Sequence, residues 1–181
     1  YLITFHPATL EDNFGIKDFK TILKFFSNKP ETGLIFTLPN TDTYNFKIIN
    51  LIKKFVKKNK NSKCFKYLGK KTYFSIVKQV DAVIGNSSSG IIEVPSFKKG
   101  TIDIGNRQKG RIKSSSVIEC NCNRNDIQKA LDKLYSYDFQ NNLLNTKNPY
   151  GDGGSSMKII NIVKNINLDK LIDKKFHDID F

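Results

Sequence analysis

Apolar positions along this chain fall into two alternating rhythms. Short runs rich in β-branched and aromatic residues, at 1–5, 33–38, 63–68, 82–84, 101–104 and 117–120, read as strands. Between them apolar side chains recur at helical spacing. Phe19, Ile22, Leu23 and Phe26 follow Ile16, and Phe46, Ile49, Ile52, Phe55 and Val56 share one face with lysines opposite. Tyr73, Ile76, Val77 and Val80 form a third set, and Ile127, Ala130, Leu131 and Leu134 lie on a helix starting at Asp126. Ile159, Ile162, Val163 and Ile166 mark the last one.

Punctuation agrees with this division. Pro7 cannot continue a central ladder, so the first strand stops at His6-Pro7. Pro39-Asn40 closes the second strand and Gly69 the third, and Pro95 ends or kinks a short helix after Gly90. Strands alternating with helices of about ten to fifteen residues predict an α/β fold, a parallel sheet covered on both faces. One domain over 1–166 is expected, followed by a charged tail at 167–181 too short to form a second. Tyr1 opens straight into an apolar run, so the chain reads as a piece starting at a domain boundary.

In a doubly wound sheet, ligands sit at the carboxyl ends of the strands, where the strand order reverses. The polar clusters of this sequence fall at such ends: His6-Pro7, Asn40-Thr41-Asp42, Gly85 to Gly90, and Gly105-Asn106-Arg107-Gln108. Agreement among four strand ends predicts one ligand site. Ser87, Ser88, Ser89 and Gly90 stand between a strand and a helix start, where unpaired N–H groups and hydroxyls favour phosphate. A serine-rich helix cap that binds nothing is the alternative. Glu93, one turn on, could take the two hydroxyls of a ribose or be an exposed helix carboxylate. Arg107 offers a guanidinium fork to an anion, or a surface ion pair. His6 could equally be a capping or core residue; it is the one strand-end group whose ordinary pKa lies near neutrality.

Other chemistries find no support. Gly100, Gly105 and Gly110 are too widely spaced for a GxGxxG loop, and neither a GxxxxGK[ST] loop nor a GxSxG elbow occurs. The formal charge of +13 attracts phosphate in any form. However, the excess is nearly all lysine on helix faces, and only Lys66-Tyr67 and Lys71-Thr72-Tyr73 interleave it with aromatics, which argues against a nucleic-acid surface. Cys64, Cys120 and Cys122, with only His6 and His177, complete no zinc set, so no metal or cofactor is expected and the thiols fit a reducing cytoplasm. No apolar run approaches membrane-span length, and no signal-peptide pattern is present.

The strings FHP at 5–7, LPNTD at 38–42, GNSSSGIIEVPSF at 85–97, IGNRQKGR at 104–111 and NPYGDGGSS at 148–156 resemble, in the same order, those of UDP-N-acetylglucosamine 2-epimerases. NSSSG and RQxGR resemble the hydrolysing branch. The resemblance covers essentially the whole chain. It implies the Rossmann-like C-terminal half of a two-domain, GT-B-like fold, with the nucleotide in the cleft against an N-terminal half. It also implies that Ser87, Ser88 and Gly90 hold the diphosphate and Glu93 the ribose. His6, Asn40 and Arg107 would face the nucleotide-sugar, with the base near Leu68. The implied reaction removes the C2 proton of UDP-N-acetylglucosamine, expels UDP to leave a glycal, and adds water to give N-acetylmannosamine for sialic acid-type synthesis. His6 would assist departure of the diphosphate. The main carboxylates would belong to the N-terminal half, so this piece alone should be inactive and the whole enzyme a homo-oligomer. A related epimerase for another UDP- or GDP-linked amino sugar, of the legionaminic acid type, is the nearest alternative, and a basic nucleic-acid-binding module a more distant one. Two departures from the family pattern stand out: Lys98-Lys99-Gly100 replaces Gly-x-Pro, and Asn106 replaces an Asp beside Arg107.

Overall fold

A computed structural model describes residues 1–8 and 15–167. Six strands, β1 (Leu2–Thr4), β2 (Leu34–Thr37), β3 (Ser62–Phe65), β4 (Ala82–Gly85), β5 (Gly100–Ile104) and β6 (Val117–Cys120), form one sheet. Their order is β3-β2-β1-β4-β5-β6 and every pair is parallel. The chain builds outward from β1 in one direction, then crosses back and builds outward in the other. The reversal falls between β1 and β4, in the register Leu2↔Val83, Ile3↔Ile84 and Thr4↔Gly85. This is the α/β architecture expected from the alternating rhythms; β1 and β2 are a residue shorter at each end than their apolar runs, and β4 and β5 a residue longer.

The helices are α1 (Ile16–Ser27), α2 (Asn45–Lys58), α3 (Gly69–Gln79), α4 (Ser89–Ile92), α5 (Arg124–Leu134), α6 (Tyr137–Leu144) and α7 (Ser155–Asn165), with a 3-10 turn at Val94–Phe97. Because strand side chains alternate between faces, the core has two parts. Ile3, Phe36, Ile84 and Ile102 pack with Phe19 and Ile22 of α1, Ile48 and Ile52 of α2, and Ile127 and Leu131 of α5. Leu2 and Val83 turn the other way, onto Val77 of α3 and Val94. β4 and β5 are buried along their whole length, as central parallel strands covered on both sides must be.

Three local differences have simple causes. Helix α5 starts two residues before Asp126, because Asn123 is its cap and accepts the Asp126 N–H at 2.9 Å. Helix α6 buries only Phe139 and Leu143, too sparse a stripe to be read from periodicity. The strand read through Leu68 stops at Phe65, since Gly69 (φ +68°) already begins α3.

The compact unit built on the sheet ends at Tyr150, and a second unit starts at Gly151. Within that second unit α7 is helical as expected, but none of its residues is buried, so Ile159, Ile162 and Val163 are exposed. The tail expected at 167–181 lies outside the described residues, apart from Asn167. Among the described residues no helix is long and apolar enough to cross a membrane.

Candidate functional site

A cleft of about 610 Å³ opens at the carboxyl ends of the strands, beside the β1/β4 reversal. It is lined by Thr4 and His6 after β1, Thr37 to Asn40 at β2, Lys66 to Gly69 after β3, and Tyr73 and Phe74 of α3. Ser87, Ser89 and Glu93 complete it. Three of the four strand ends picked out by polar residues therefore form the cleft, together with the end of β3. The fourth, after β5, sends Arg107 to the turn after β4 instead: its Nη1 donates to the Asn86 carbonyl at 3.0 Å.

That turn is built by two residues. Gly85 has φ +142°, and a Cβ there would lie 2.0 Å from the Thr4 carbonyl oxygen, so only glycine lets β4 leave the sheet so close to β1. Asn86, 2% exposed, then pairs with the backbone of His6. The His6 N–H donates to Asn86 Oδ1 at 2.7 Å, and Asn86 Nδ2 donates to the His6 carbonyl at 2.8 Å. Asn86 lies within the polar cluster expected at 85–90 but carried no role there; its only individual signal is a carboxamide directly after a strand-ending glycine.

Ser88 is the N-cap of α4, yet no side-chain capping bond forms. Ser87 Oγ makes only a long contact with the Ser89 N–H, at 3.4 Å, and among the described residues the N–H groups of Ser87 and Ser88 make no hydrogen bond. The serines are thus not consumed by capping. Helix α4 has four residues and little aligned dipole, so any anion here would rely on these N–H and hydroxyl groups. Ser89 lines the cleft with its Oγ 2.7 Å from the Tyr73 hydroxyl. Gly90 serves packing: a Cβ would meet Thr101 Cγ2 at 2.6 Å, and Thr101 Oγ1 donates to the Gly90 carbonyl at 2.7 Å.

His6 is buried, and its Nδ1 accepts the Asn40 N–H at 3.2 Å. Burial, with the nearby Arg107 charge adding to it and Asp42 opposing, pushes its pKa down to about 4. The imidazole is therefore neutral at pH 7, and the expectation that it titrates near neutrality gives way to a hydrogen-bond donor through Nε2–H. Asn40 itself is exposed on the cleft rim and acts on His6 through its backbone. One oxygen of Glu93 is buried without a hydrogen-bond partner, as is one of Asp42. A buried, unsatisfied carboxylate oxygen is costly, and a pair of ligand hydroxyls would relieve Glu93. Burial, and then the Glu93 charge, raise the Tyr73 phenol, which stands beside it. Leu68 caps α3 at the far end of the cleft, flanked by Lys66 and Lys70. Among the described residues no group of three His, Cys, Asp or Glu side chains could hold a metal.

The family described as UDP-N-acetylglucosamine 2-epimerase matches residues 1–164. A Campylobacter jejuni protein named GDP/UDP-N,N'-diacetylbacillosamine 2-epimerase (hydrolyzing) is 42% identical over 181 residues, covering 99% of this chain and 47% of the relative. Polysialic acid biosynthesis protein P7 of Escherichia coli is 34% identical, covering 99% and 46%. The chain thus spans about half the length of these curated relatives. In fold it is similar to the UDP-GlcNAc 2-epimerase of Neisseria meningitidis solved with UDP-GlcNAc, with a TM-score of 0.70 at 18% identity, over 91% of this chain and 44% of that one.

Proposed function

The chain belongs to the UDP-N-acetylglucosamine 2-epimerase family, and on that premise we propose that it is the nucleotide-binding half of a hydrolysing 2-epimerase acting on a UDP-linked 2-acetamido sugar. One observation carries the reading: a single cleft at the sheet's reversal gathers Ser87 and Ser89, a neutral imidazole and a carboxylate oxygen lacking a partner, with the uncapped Ser88 between the two serines in the chain. In this reading Ser87 and Ser88 take the diphosphate, Glu93 the ribose hydroxyls, and the segment around Leu68 the base. Gly90 supports the serines through its packing on Thr101. His6 Nε2–H donates to the diphosphate as negative charge builds on it. Arg107, held at Asn86, contributes its positive charge there.

The chemistry proposed is elimination followed by hydration. A base takes the C2 proton, the C1–O bond breaks with its electrons leaving on UDP, and a C1–C2 double bond forms. Water then adds across it, a proton going to C2 on the opposite face and hydroxyl to C1, so that substrate and one water become UDP and a free sugar inverted at C2. Carboxylates outside this chain are assigned the proton transfers at C2. Cys64, Cys120 and Cys122 form no disulfide, which fits a reducing compartment such as the cytoplasm.

For the sugar, UDP-N-acetylglucosamine giving N-acetylmannosamine is the first reading. The 42% identical relative favours a second, a GDP- or UDP-linked diacetamido sugar. Titrating UDP and GDP against the full-length protein, then assaying both UDP-sugars for UDP release and for the free C2-inverted sugar, separates them. Oligonucleotide binding tighter than either nucleotide at physiological salt would overturn both.

A further inference from the structure

Asn86 precedes the serines and has no part in the binding scheme above, yet it is the most heavily bonded polar residue at the reversal. Register pairing between β1 and β4 ends at Thr4↔Gly85, followed by a bond from the Asn86 N–H to the Thr4 carbonyl at 3.3 Å. Pro7 has no N–H to carry the ladder further. The Asn86 side chain supplies the next rung: its amide accepts from and donates to the backbone of one residue, His6, at 2.7 and 2.8 Å. A carboxamide is suited to this because it carries an acceptor and a donor side by side. Meanwhile the Asn86 main-chain carbonyl accepts two side chains from the loop after β5, Arg107 Nη1 at 3.0 Å and Gln108 Nε2 at 2.8 Å. Gln108 is 1% exposed, so this anchorage is buried.

We propose that Asn86 is a positioning residue, which fixes the His6 imidazole and the Arg107 guanidinium relative to each other at the diphosphate end of the cleft. What is positioned rests on the nucleotide-sugar reading; that it is positioned rests on the bonding alone. The side chain holds one partner and the carbonyl holds the other, so one peptide unit sets their separation. The pairing also keeps His6 within reach of the Asn40 N–H, which selects the tautomer with hydrogen on Nε2. The charged groups felt by the ring, Arg107 and Asp42, come from the loops after β5 and β2, so the junction joins the ends of β1, β2, β4 and β5.

The test uses the full-length protein with Asn86→Ala and Asn86→Asp, and His6→Gln to assign the imidazole signal. Nitrogen-15 NMR of the ligand-free protein should show a neutral Nε2–H ring that protonates only near pH 4. In Asn86→Asp the lost donor and added negative charge should move that midpoint upward, and in Asn86→Ala the single tautomer should give way to a mixture. Turnover should fall by about 10²-fold, as for a small misplacement of a reacting group, with UDP affinity falling far less. Unchanged tautomer and midpoint in folded variants would overturn the proposal, as would a lowered melting temperature with kcat unaltered. If neither variant folds, Gln108→Ala releases part of the Arg107 anchorage and leaves the His6 pairing intact. A reduced kcat with the His6 spectrum preserved supports positioning, and an unchanged kcat overturns it. Failure of the wild-type protein to bind UDP would instead sink the nucleotide reading, while the His6 spectrum still reports on Asn86.

Discussion

The backbone N–H of Asn40, at the end of β2, donates to Nδ1 of His6, at the end of β1, over 3.2 Å. An Nδ1 that accepts cannot carry the proton, so the ring hydrogen sits on Nε2. This contact, more than the identity of the residue, decides what His6 can do: it donates one hydrogen bond and remains neutral.

The first prediction concerns acid stability. His6 shifts from an ordinary 6.5 to about 4 in the folded protein, so between those values the unfolded chain binds more protons. Stability must then rise with pH across that window, its His6 contribution complete above pH 6.5 and lost as pH falls through 4. The effect is on the order of 3 kcal/mol at most. Urea melts of wild type and His6→Gln from pH 4 to 7 check it: the wild-type curve should be steeper, and parallel curves would refute it.

The serine cradle is tested by removing hydroxyls. Ser87→Ala with Ser88→Ala deletes two donors to a charged acceptor, each worth about 1.5–3 kcal/mol. UDP affinity of the full-length protein should drop at least tenfold while the melting temperature holds. Unaltered affinity would mean that the backbone N–H groups suffice, or that phosphate binds elsewhere.

Glu93→Gln should separate binding from folding. Glutamine keeps the size of the side chain and leaves a polar group where the unpartnered oxygen lies, so the melting temperature of the ligand-free protein should change little. UDP should bind more weakly, because an amide oxygen is a poorer acceptor for ribose hydroxyls. Calorimetric melts with and without UDP read both effects. Loss of stability in the ligand-free variant would show that Glu93 has a structural partner.

Lys98 occupies the first position of the departed Gly-x-Pro string, and its backbone is left-handed, with φ +55° and ψ +37°. Its ammonium group donates to the Thr146 carbonyl. Lys98→Ala loses that bond and keeps the backbone strain, whereas Lys98→Gly loses the bond and relieves the strain. The glycine variant should be more stable than the alanine variant by about 1 kcal/mol. Equal melting temperatures would deny the strain.

Much of this is legible in the sequence alone. Polar residues mark strand ends here because backbone groups leaving the ladder need other partners, so His6, Asn40 and Ser87 could be found from where the apolar runs stop. Which strands are neighbours could not, since periodicity records which face a residue occupies and not what it pairs with. The Asn86–His6 exchange, between residues 80 apart in the chain, was therefore hidden. Arg107 follows a strand end as expected, but its bond to the Asn86 carbonyl depends on how a loop folds back, which spacing does not encode. Helix α6 was missed because two buried side chains make no period.

The strand order also carries a kinetic consequence. While the chain is being synthesised, β1 can pair with β2 as soon as Thr37 has emerged, but its other edge waits for β4. Through that interval β1, buried on both faces in the finished sheet, presents an open row of backbone groups flanked by Leu2 and Ile3. Such an edge can pair with another nascent chain, so the interval before Gly85 docks against Thr4 is when aggregation competes with folding. Slowing translation just after β4, or lowering temperature during expression, should raise the soluble yield more than equal changes made after β6.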